Sequence, residues 1–307
     1  MADQIQAASQ PVRRLSLQVD AELAGERVDT LLKRQLGLSM AVVRRAKWLP
    51  DGILVDGQRV NTRFVPQPGQ TLSVRLSDPE RRSGIVPTPG ALDIVYEDAD
   101  VLVLNKAPGV CVHPGPGHFD CTIGNYLLHY YNQMGVQDDF HPVHRLDRGT
   151  SGLLVVAKHP HAQQVLSGQL HTGAFSRSYL AVCQGILQPD CGTVEAPLGP
   201  KPGSLIEQQV CLTGKAARTH YRVLQQRDGR CLLHLQLDTG RTHQIRVHMA
   251  HLGHPLIGDF LYGIEQPELI DRPALHSHRL QFLHPVGKTS LSFQLPLPPD
   301  MARLVED

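Results

Sequence analysis

Apolar residues recur at two spacings along the chain, and these spacings predict where helices and strands lie. Positions 28–36 follow the three-to-four-residue period of an amphipathic helix, and Gly37 is suited to end it. A second helix is predicted after Ser39, a residue type that caps helices. Residues 53–60 alternate around an Asp-Gly turn and predict a hairpin, which a strand over 71–74 follows. Residues 15–76 are therefore expected to form a compact αβ module.

The longer remainder of the chain is dominated by short β-type runs. Strands are predicted over 94–97, 101–106, 153–157, 179–182, 219–224, 231–237 and 291–295. Helices are predicted over 123–131, 162–170 and about 243–252. The Pro- and Gly-rich stretch 192–214 is expected to be irregular. We predict an α+β protein with a disordered tail over 1–14, the module over 15–76, a linker over 77–90 and a second domain over 91–307.

Composition excludes several classes of protein. No window approaches the ~18 uninterrupted apolar residues of a membrane helix, and the polar N-terminus has no signal-like core. We therefore expect a cytoplasmic protein with no membrane contact. The six cysteines are scattered and form no C-x-x-C pair, so they are expected to be free. Neither a phosphate-binding P-loop nor a dinucleotide glycine fingerprint occurs.

Charge is distributed unevenly although the net charge is only +1. Lys and Arg are in excess over 1–83 and 144–260, and Asp and Glu over 84–143. Five basic residues lie on the two predicted helices of the module, and they could contact RNA phosphates: Lys33, Arg34, Arg44, Arg45 and Lys47. The ordinary alternative is a pair of solvated helix faces.

The stretch 144–152 places one carboxylate, Asp147, between Arg145 and Arg148 in a turn before a buried strand. Neighbouring cations favour the charged form of a carboxylate, which could then be a nucleophile, a base or a metal ligand. The alternative is an ordinary surface turn. An aspartic protease is excluded because its second Asp-Thr/Ser-Gly turn is missing.

The segment 239–254 carries the other candidate side chains. Four histidines follow one another at three- to five-residue steps and could hold zinc: His243, His248, His251 and His254. No H-E-x-x-H pattern and no cysteine accompany them, so we predict no metal. Arg241 and Arg246 are five positions apart and cannot share one tight helical face. One of them could face a carboxylate and the other phosphate or backbone.

Taken together, these motifs resemble a known family. His144-Arg145-Leu146-Asp147 with Thr150-Ser151-Gly152, then Tyr179-Leu180-Ala181, then the run 239–248, with Gly253-His254-Pro255 and Gly258-Asp259 behind, are similar to the RluA-type pseudouridine synthases. Residues 27–60 resemble the S-four-like RNA-binding module. The chain departs from the family pattern in two loops, at Lys106-Ala107-Pro108-Gly109 and at Gly149.

The resemblance implies a catalytic domain with a mixed, largely antiparallel sheet flanked by helices, and an isomerisation of uridine in RNA that needs no cofactor. Asp147 would be the essential carboxylate, acting on the sugar, on the base or on a sugar proton. Arg246 would orient Asp147 and keep it ionised. Tyr179 would lie against the uracil and is a candidate for removing the carbon-5 proton. Arg145 would fill the space left by the extruded nucleotide, and Ile245 would form part of the pocket floor.

The expected partner is structured RNA, with large-subunit ribosomal RNA favoured over transfer RNA and Arg241 as a further RNA contact. We expect a monomer. Two other classes compete with this interpretation. A non-catalytic RNA-binding protein would share the basic residues, and a metal-dependent hydrolase would use the histidines.

Overall fold

The computed structural model of the chain describes residues 12–170 and 172–306. Its N-terminal part contains β1 (Arg14–Gln18), α1 (Val28–Arg34), α2 (Met40–Lys47), β2 (Ile53–Val55), β3 (Gln58–Arg59) and β4 (Thr71–Arg75). The strands form an antiparallel sheet in the order β1-β4-β2-β3. The buried faces of α1 and α2 pack on β2 and β4 in a core of their own. Ser39 caps α2 as predicted, by accepting a hydrogen bond from the Val42 amide at 3.3 Å.

In the rest of the described chain, two further sheets and four helices follow. The strands are β5 (Ile94–Glu97), β6 (Val101–Lys106), β7 (His141–Pro142), β8 (Ser151–Ala157), β9 (Ser176–Gln184), β10 (Cys191–Glu195), β11 (Leu198–Pro200), β12 (Gln208–Val210), β13 (Arg218–Arg227), β14 (Arg230–Leu237), β15 (Leu275–Leu283) and β16 (Ser290–Gln294). The helices are α3 (Ile123–Gln133), α4 (Pro160–Gln169), α5 (Gln244–His251) and α6 (Pro299–Ala302). Within the described ranges, no helix is long and apolar enough to cross a membrane.

One ten-stranded sheet organises this part of the chain. Its order is β10-β13-β14-β9-β15-β8-β6-β5, with β16 paired to β15 and β7 to β8. The pairing of β15 with β8 is parallel and the other strand pairings of this sheet are antiparallel, so the predicted mixed, largely antiparallel sheet is confirmed. Alternate residues of β6 and β8 enter two different cores, one covered by α3 and the other by α4. The central strands are therefore buried on both faces.

Four strand regions differ from the predictions. β1, β7 and β15 were not predicted, and 192–214 contains β10, β11 and β12 rather than only irregular chain. In β15 the apolar alternation is interrupted by buried polar residues that have partners within the sheet. His276 Nδ1 lies 2.9 Å from Ser151 Oγ, and Ser277 Oγ donates to the Leu153 carbonyl at 2.9 Å. A strand that buries polar residues through such hydrogen bonds does not show the alternation of apolar and polar residues by which strands are predicted.

The segment predicted as a linker is attached to the second domain by hydrogen bonds and an ion pair. Asp78 is buried and bonds both Arg45 and His141. The Ser83 hydroxyl and amide both donate to Asp139, at 2.5 and 2.8 Å. The domain boundaries themselves stay a prediction, but this segment does not have the character of a free spacer.

The predicted N-terminal tail is ordered at its end. Arg13 donates to both carboxylate oxygens of Asp100 at 2.7 Å, and Asp100 lies 2.9 Å from His159 Nε2. Arg14 begins β1. Residues 1–11 lie outside the described residues. The module is thus tied to the second domain through its first strand as well as through Asp78.

Candidate active site

A cavity of about 1100 Å³ opens where the loop before β8 meets the turn before α5. Residues from distant parts of the chain line it. All the site residues predicted in the second domain are among them: Arg145, Asp147, Tyr179, Arg241, Ile245 and Arg246. The cavity therefore gathers the candidate side chains into one place.

Asp147 sits in a tight turn at the start of the wholly buried strand β8. Its carbonyl accepts a hydrogen bond from the Thr150 amide at 3.1 Å, and its side chain is 28% exposed at the cavity. Gly152 adopts φ 105°, where a Cβ atom would lie 2.3 Å from the Ser277 carbonyl oxygen. Glycine at this position lets the turn join β8 to the parallel strand β15.

Two buried cations hold the Asp147 turn from beneath. Lys106 Nζ donates to three backbone carbonyls, including that of Arg148 at 3.2 Å. Burial lowers the pKa of Lys106 to about 7. Arg272 donates to the Gly149 carbonyl at 3.2 Å while bonding Asp300 at 2.7 and 3.0 Å. The turn is therefore fixed by the strand before it and by the C-terminal segment.

Arg246 faces Asp147, but its hydrogen bonds go to another carboxylate. Nε and Nη2 donate to the two oxygens of Asp259 at 2.8 and 2.7 Å, whereas Nη1 lies 3.8 Å from Asp147 Oδ2. Burial alone would lower the pKa of Arg246, and the hydrogen bonds and charge of Asp259, together with the charge of Asp147, raise it instead. Asp259 thus holds the guanidinium in place while its third nitrogen remains aimed at Asp147.

Aromatic rings enclose the same guanidinium. Its carbon lies 5.1 Å from the centre of the Tyr262 ring and 5.6 Å from that of Phe260, which are cation–π distances. The Tyr262 hydroxyl accepts a hydrogen bond from the Gln208 amide and lies 2.7 Å from His243 Nδ1. These contacts fix Arg246 from the sides that Asp259 leaves open.

Tyr179 projects from β9 into the cavity wall and is 5% exposed. Burial raises the pKa of its hydroxyl; the charge of Arg177 opposes this increase and that of Asp147 adds to it. Tyr179 is therefore a neutral, largely apolar surface close enough to Asp147 to feel its charge.

The turn before α5 is set by Gln244. Its side-chain oxygen accepts from the Thr239 hydroxyl and the Arg241 amide at 2.8 and 3.0 Å, and its nitrogen donates to β13. Arg241 lies in this exposed turn and donates through Nε to the Ala216 carbonyl at 3.0 Å. Ile245, on the first turn of α5, is buried in the main core and lines the cavity.

Three of the four histidines of this segment have separate hydrogen-bond partners. His248 lies 2.8 Å from the Thr219 hydroxyl and 3.0 Å from the Ala196 carbonyl, and His254 lies 2.8 Å from the Gln184 carbonyl. His243 faces Tyr262, as described above. Within residues 12–170 and 172–306 these imidazoles form no cluster at metal-ligand spacing.

The structure separates the five predicted basic residues of the module into four that are exposed and one that has a buried partner. Lys33, Arg34, Arg44 and Lys47 are exposed on α1 and α2. Arg45 differs, because its guanidinium bonds the buried carboxylate of Asp78. Arg45 therefore has a buried internal partner, and its contact with RNA stays a prediction.

Sequence reasoning missed three side chains that shape the cavity: Arg177, Asp259 and Arg272. Asp259 belongs to the quoted Gly258-Asp259 motif but had no role assigned to it. Arg177 lies two positions before Tyr179 and so faces the same side of β9. Nothing in the local pattern around Arg272 indicated that it would be buried.

Comparison with known proteins identifies relatives along most of the chain. Residues 100–251 match the family model described as RNA pseudouridylate synthase. An uncharacterized RNA pseudouridine synthase of Bacillus subtilis, YjbO, is 41% identical over 89% of this chain and 96% of its own length. Ribosomal large subunit pseudouridine synthase D of Escherichia coli O157:H7 is 36% identical over 95% of this chain and 94% of its own.

A solved structure has a similar arrangement. The human protein RNA Pseudouridylate Synthase Domain Containing 1 superposes with a TM-score of 0.58 at 28% identity, covering 69% of this chain and 88% of that protein. The similarity thus extends from the sequence motifs to the backbone of the catalytic part.

Proposed function

The chain belongs to the RluA-type RNA pseudouridine synthases, and from this premise we propose that it converts specific uridines of large-subunit ribosomal RNA to pseudouridine. The large-subunit substrate is supported by relatives named for that activity, which are 36–38% identical over at least 92% of this chain. Transfer RNA is the competing substrate.

Asp147 is the proposed reacting carboxylate. The observation that carries this assignment is the convergence on one cavity of three residues from separate segments: Asp147, Tyr179 and Arg246. Arg246 approaches Asp147 to 3.8 Å while anchored elsewhere, so it can hold the carboxylate in position without blocking its oxygens. A reactive carboxylate must remain accessible, and Asp147 is the exposed member of this group.

The target uridine is proposed to leave its stack and enter the cavity. The reacting bond between base and ribose is inaccessible inside a stacked helix, so extrusion is required for the chemistry. The cavity volume of about 1100 Å³ exceeds the space that one nucleotide needs. Tyr179 and Ile245 offer the apolar wall for the base, and the exposed Arg145 at the rim is suited to fill the vacated position.

The basic face of the module is proposed as a second RNA contact. Four exposed cations lie along α1 and α2, and the exposed Trp48 ring follows them, with Lys47 Nζ 5.0 Å from its centre. Cations beside an exposed aromatic ring are suited to a phosphate backbone and an unpaired base. This supports the S-four-like assignment of the module.

The test maps pseudouridines in total RNA from cells that lack the protein and are complemented with wild type or with Asp147→Asn. We expect sites in large-subunit RNA to return with wild type and to stay unmodified with Asp147→Asn, although the variant still folds and binds RNA. Asp271→Asn removes a second carboxylate from the cavity wall and should restore modification.

Other outcomes are equally informative. Sites lost only from transfer RNA would replace the proposed substrate. RNA binding by the wild-type protein with no lost site would favour the non-catalytic alternative. Turnover by Asp147→Asn would remove Asp147 from the mechanism.

A further inference from the structure

Arg177 lines the cavity and has no role in the chemistry described above. We propose that its guanidinium binds a backbone phosphate of the RNA beside the target uridine and so positions that nucleotide against Asp147. This inference rests on the proposed function and assigns a binding group within the same site.

The first observation is that Arg177 is buried without a partner. Three arginines of the described chain are at least nine-tenths buried. Arg246 bonds Asp259 and Arg272 bonds Asp300, each through two hydrogen bonds. Arg177 is 9% exposed, and it makes no hydrogen bond or ion pair within residues 12–170 and 172–306.

An unpaired buried guanidinium is costly, because removal of a charge from water is normally offset by an opposite charge or by hydrogen bonds. No group of the described protein neutralises Arg177, and its guanidinium nitrogens face the cavity rather than the closed interior. The missing partner is therefore expected to arrive with a ligand. A ligand anion would fill this position without displacing an existing contact.

The surrounding backbone is shaped to accommodate the guanidinium. A Cβ atom at position 240 would lie 3.1 Å from Nη1 and 3.3 Å from Nη2 of Arg177, so glycine allows the turn to pass close by. This turn precedes α5, which carries Arg246. Of the two arginines near this turn, Arg246 is already neutralised by Asp259, whereas Arg177 has no such partner in the described chain.

The charge of Arg177 is felt by its neighbours in the cavity. Burial lowers the pKa of His144 to about 3, and Arg177 contributes to this decrease. Its charge also opposes the burial-driven increase in the pKa of Tyr179. The charge of Arg177 is therefore felt both by His144, three positions before Asp147, and by Tyr179 in the wall proposed to receive the base.

Phosphate is the anion that fits this position. Uracil and ribose are neutral, whereas each nucleotide of an RNA chain brings one phosphate, and a planar guanidinium binds phosphate through two parallel hydrogen bonds. Asp147 repels a phosphate, so a cation set apart from Asp147 is needed to hold the backbone near it. Arg246 cannot serve, since two of its three nitrogens are occupied by Asp259.

The experiment compares Arg177→Met and Arg177→Lys with wild type on a short RNA that contains a mapped target uridine. Arg279→Met removes an equal charge from an exposed position on β15 outside the cavity and serves as control. We expect Arg177→Met to bind about 10- to 100-fold more weakly, as loss of a charged hydrogen-bonded contact implies. The slope of log affinity against log salt should fall by about 0.7, the value for one phosphate contact on single-stranded RNA. Arg177→Lys should recover part of the affinity.

A second measurement distinguishes a ligand contact from a structural role. Methylphosphonate replacement of one phosphate at a time should weaken wild type at one position next to the target and leave Arg177→Met unaffected there. The urea midpoint of Arg177→Met should stay at or above that of wild type, because no internal partner is lost.

Three results would overturn the proposal. The first is wild-type affinity and salt slope in Arg177→Met. The second is a loss of affinity to which no single phosphate is coupled, which would assign the contact to the base or sugar. The third is a lowered urea midpoint that accounts for the weaker binding. Failure of the proposed function would be recognised separately, because the wild-type enzyme would then form no pseudouridine.

Discussion

Replacement of Asp259 by Asn would remove one negative charge from the centre of the site and leave Arg246 buried beside a neutral amide. Both side chains are almost completely buried, at 0% and 4% exposure, and two hydrogen bonds of 2.7–2.8 Å join them. Asn can still accept the amide hydrogen bonds from Leu261 and Tyr262 at Oδ1. The substitution therefore changes the charge while retaining the local turn.

Two independent estimates give the size of the effect on stability. Removal of one partner from a buried ion pair costs about 3–5 kcal/mol. Counted as hydrogen bonds, the loss is one charged contact, from Arg246 Nε to Oδ2, because Nη2 donates to the oxygen that Asn retains; such a contact is worth about 1.5–3 kcal/mol. We expect Asp259→Asn to lower the free energy of unfolding by about 3 kcal/mol, where the two ranges meet.

Activity should fall for a different reason. Once Asp259 no longer competes, the guanidinium of Arg246 can close the 3.8 Å separation from Asp147 and form a direct hydrogen bond. That movement is about 1 Å, and a misplacement of this size can reduce a rate by about 10²-fold. The proposed reacting oxygen would then be occupied by the cation meant to orient it.

Urea unfolding and single-turnover pseudouridine formation test the two effects. Asp51→Asn removes the charge of a carboxylate that is 42% exposed and pairs with Arg14 and Arg75, and it should cost about 1 kcal/mol or less. The double variant Arg246→Met with Asp259→Leu should regain much of the stability without activity. If Asp259→Asn unfolded within about 1 kcal/mol of wild type and kept its rate, Asp259 would not be the group that neutralises Arg246.

Three further predictions concern other parts of the chain. Gly152→Ala should lower the free energy of unfolding by about 2–4 kcal/mol because its Cβ meets the carbonyl of β15; Gly117→Ala, with the same sign of φ but open space, should cost about 1–2 kcal/mol. Burial lowers the pKa values of His144 and His276 to about 3 and 4, so the unfolded chain takes up their protons first as the pH falls below about 6.5. Stability should thus be full above this pH and decline by about 2 kcal/mol per histidine at pH 5; a urea midpoint independent of pH between 7 and 5 would contradict this. RNA should change the fluorescence of Trp48, the single tryptophan, which is 72% exposed; unchanged emission at saturating RNA would place the ring outside the contact.

The parts of the fold that sequence could predict are those in which local pattern and burial agree. The run 153–157 is apolar without interruption, and β8 is buried on both faces. β15 escaped prediction because His276 and Ser277 are buried through hydrogen bonds to other strands, which local hydropathy does not encode.

The sequence could predict those residues of the candidate site that stand in a short local motif. Asp147 stands out in its own turn, whereas the selection of Arg246 came from the family resemblance and not from any local signal. Its bidentate contact with Asp259 depends on how α5 meets the following loop, so only the folded chain reveals it. Arg177 was missed for the opposite reason, since an isolated arginine in a strand is ordinarily a surface residue.

The double attachment of the N-terminal module has a consequence for target choice. Arg13 fastens its first strand to Asp100, and Asp78 joins Arg45 of its second helix to His141. These contacts hold the basic residues of α1 and α2 at a fixed distance from the cavity. With the module bound to RNA as proposed, a flexible tether would let any nearby uridine enter the cavity, whereas the fixed attachment requires the RNA to present its uridine at a matching distance from the segment on the module. The proposed target choice would then depend on RNA shape, over a distance that a few ion pairs far from Asp147 set in advance.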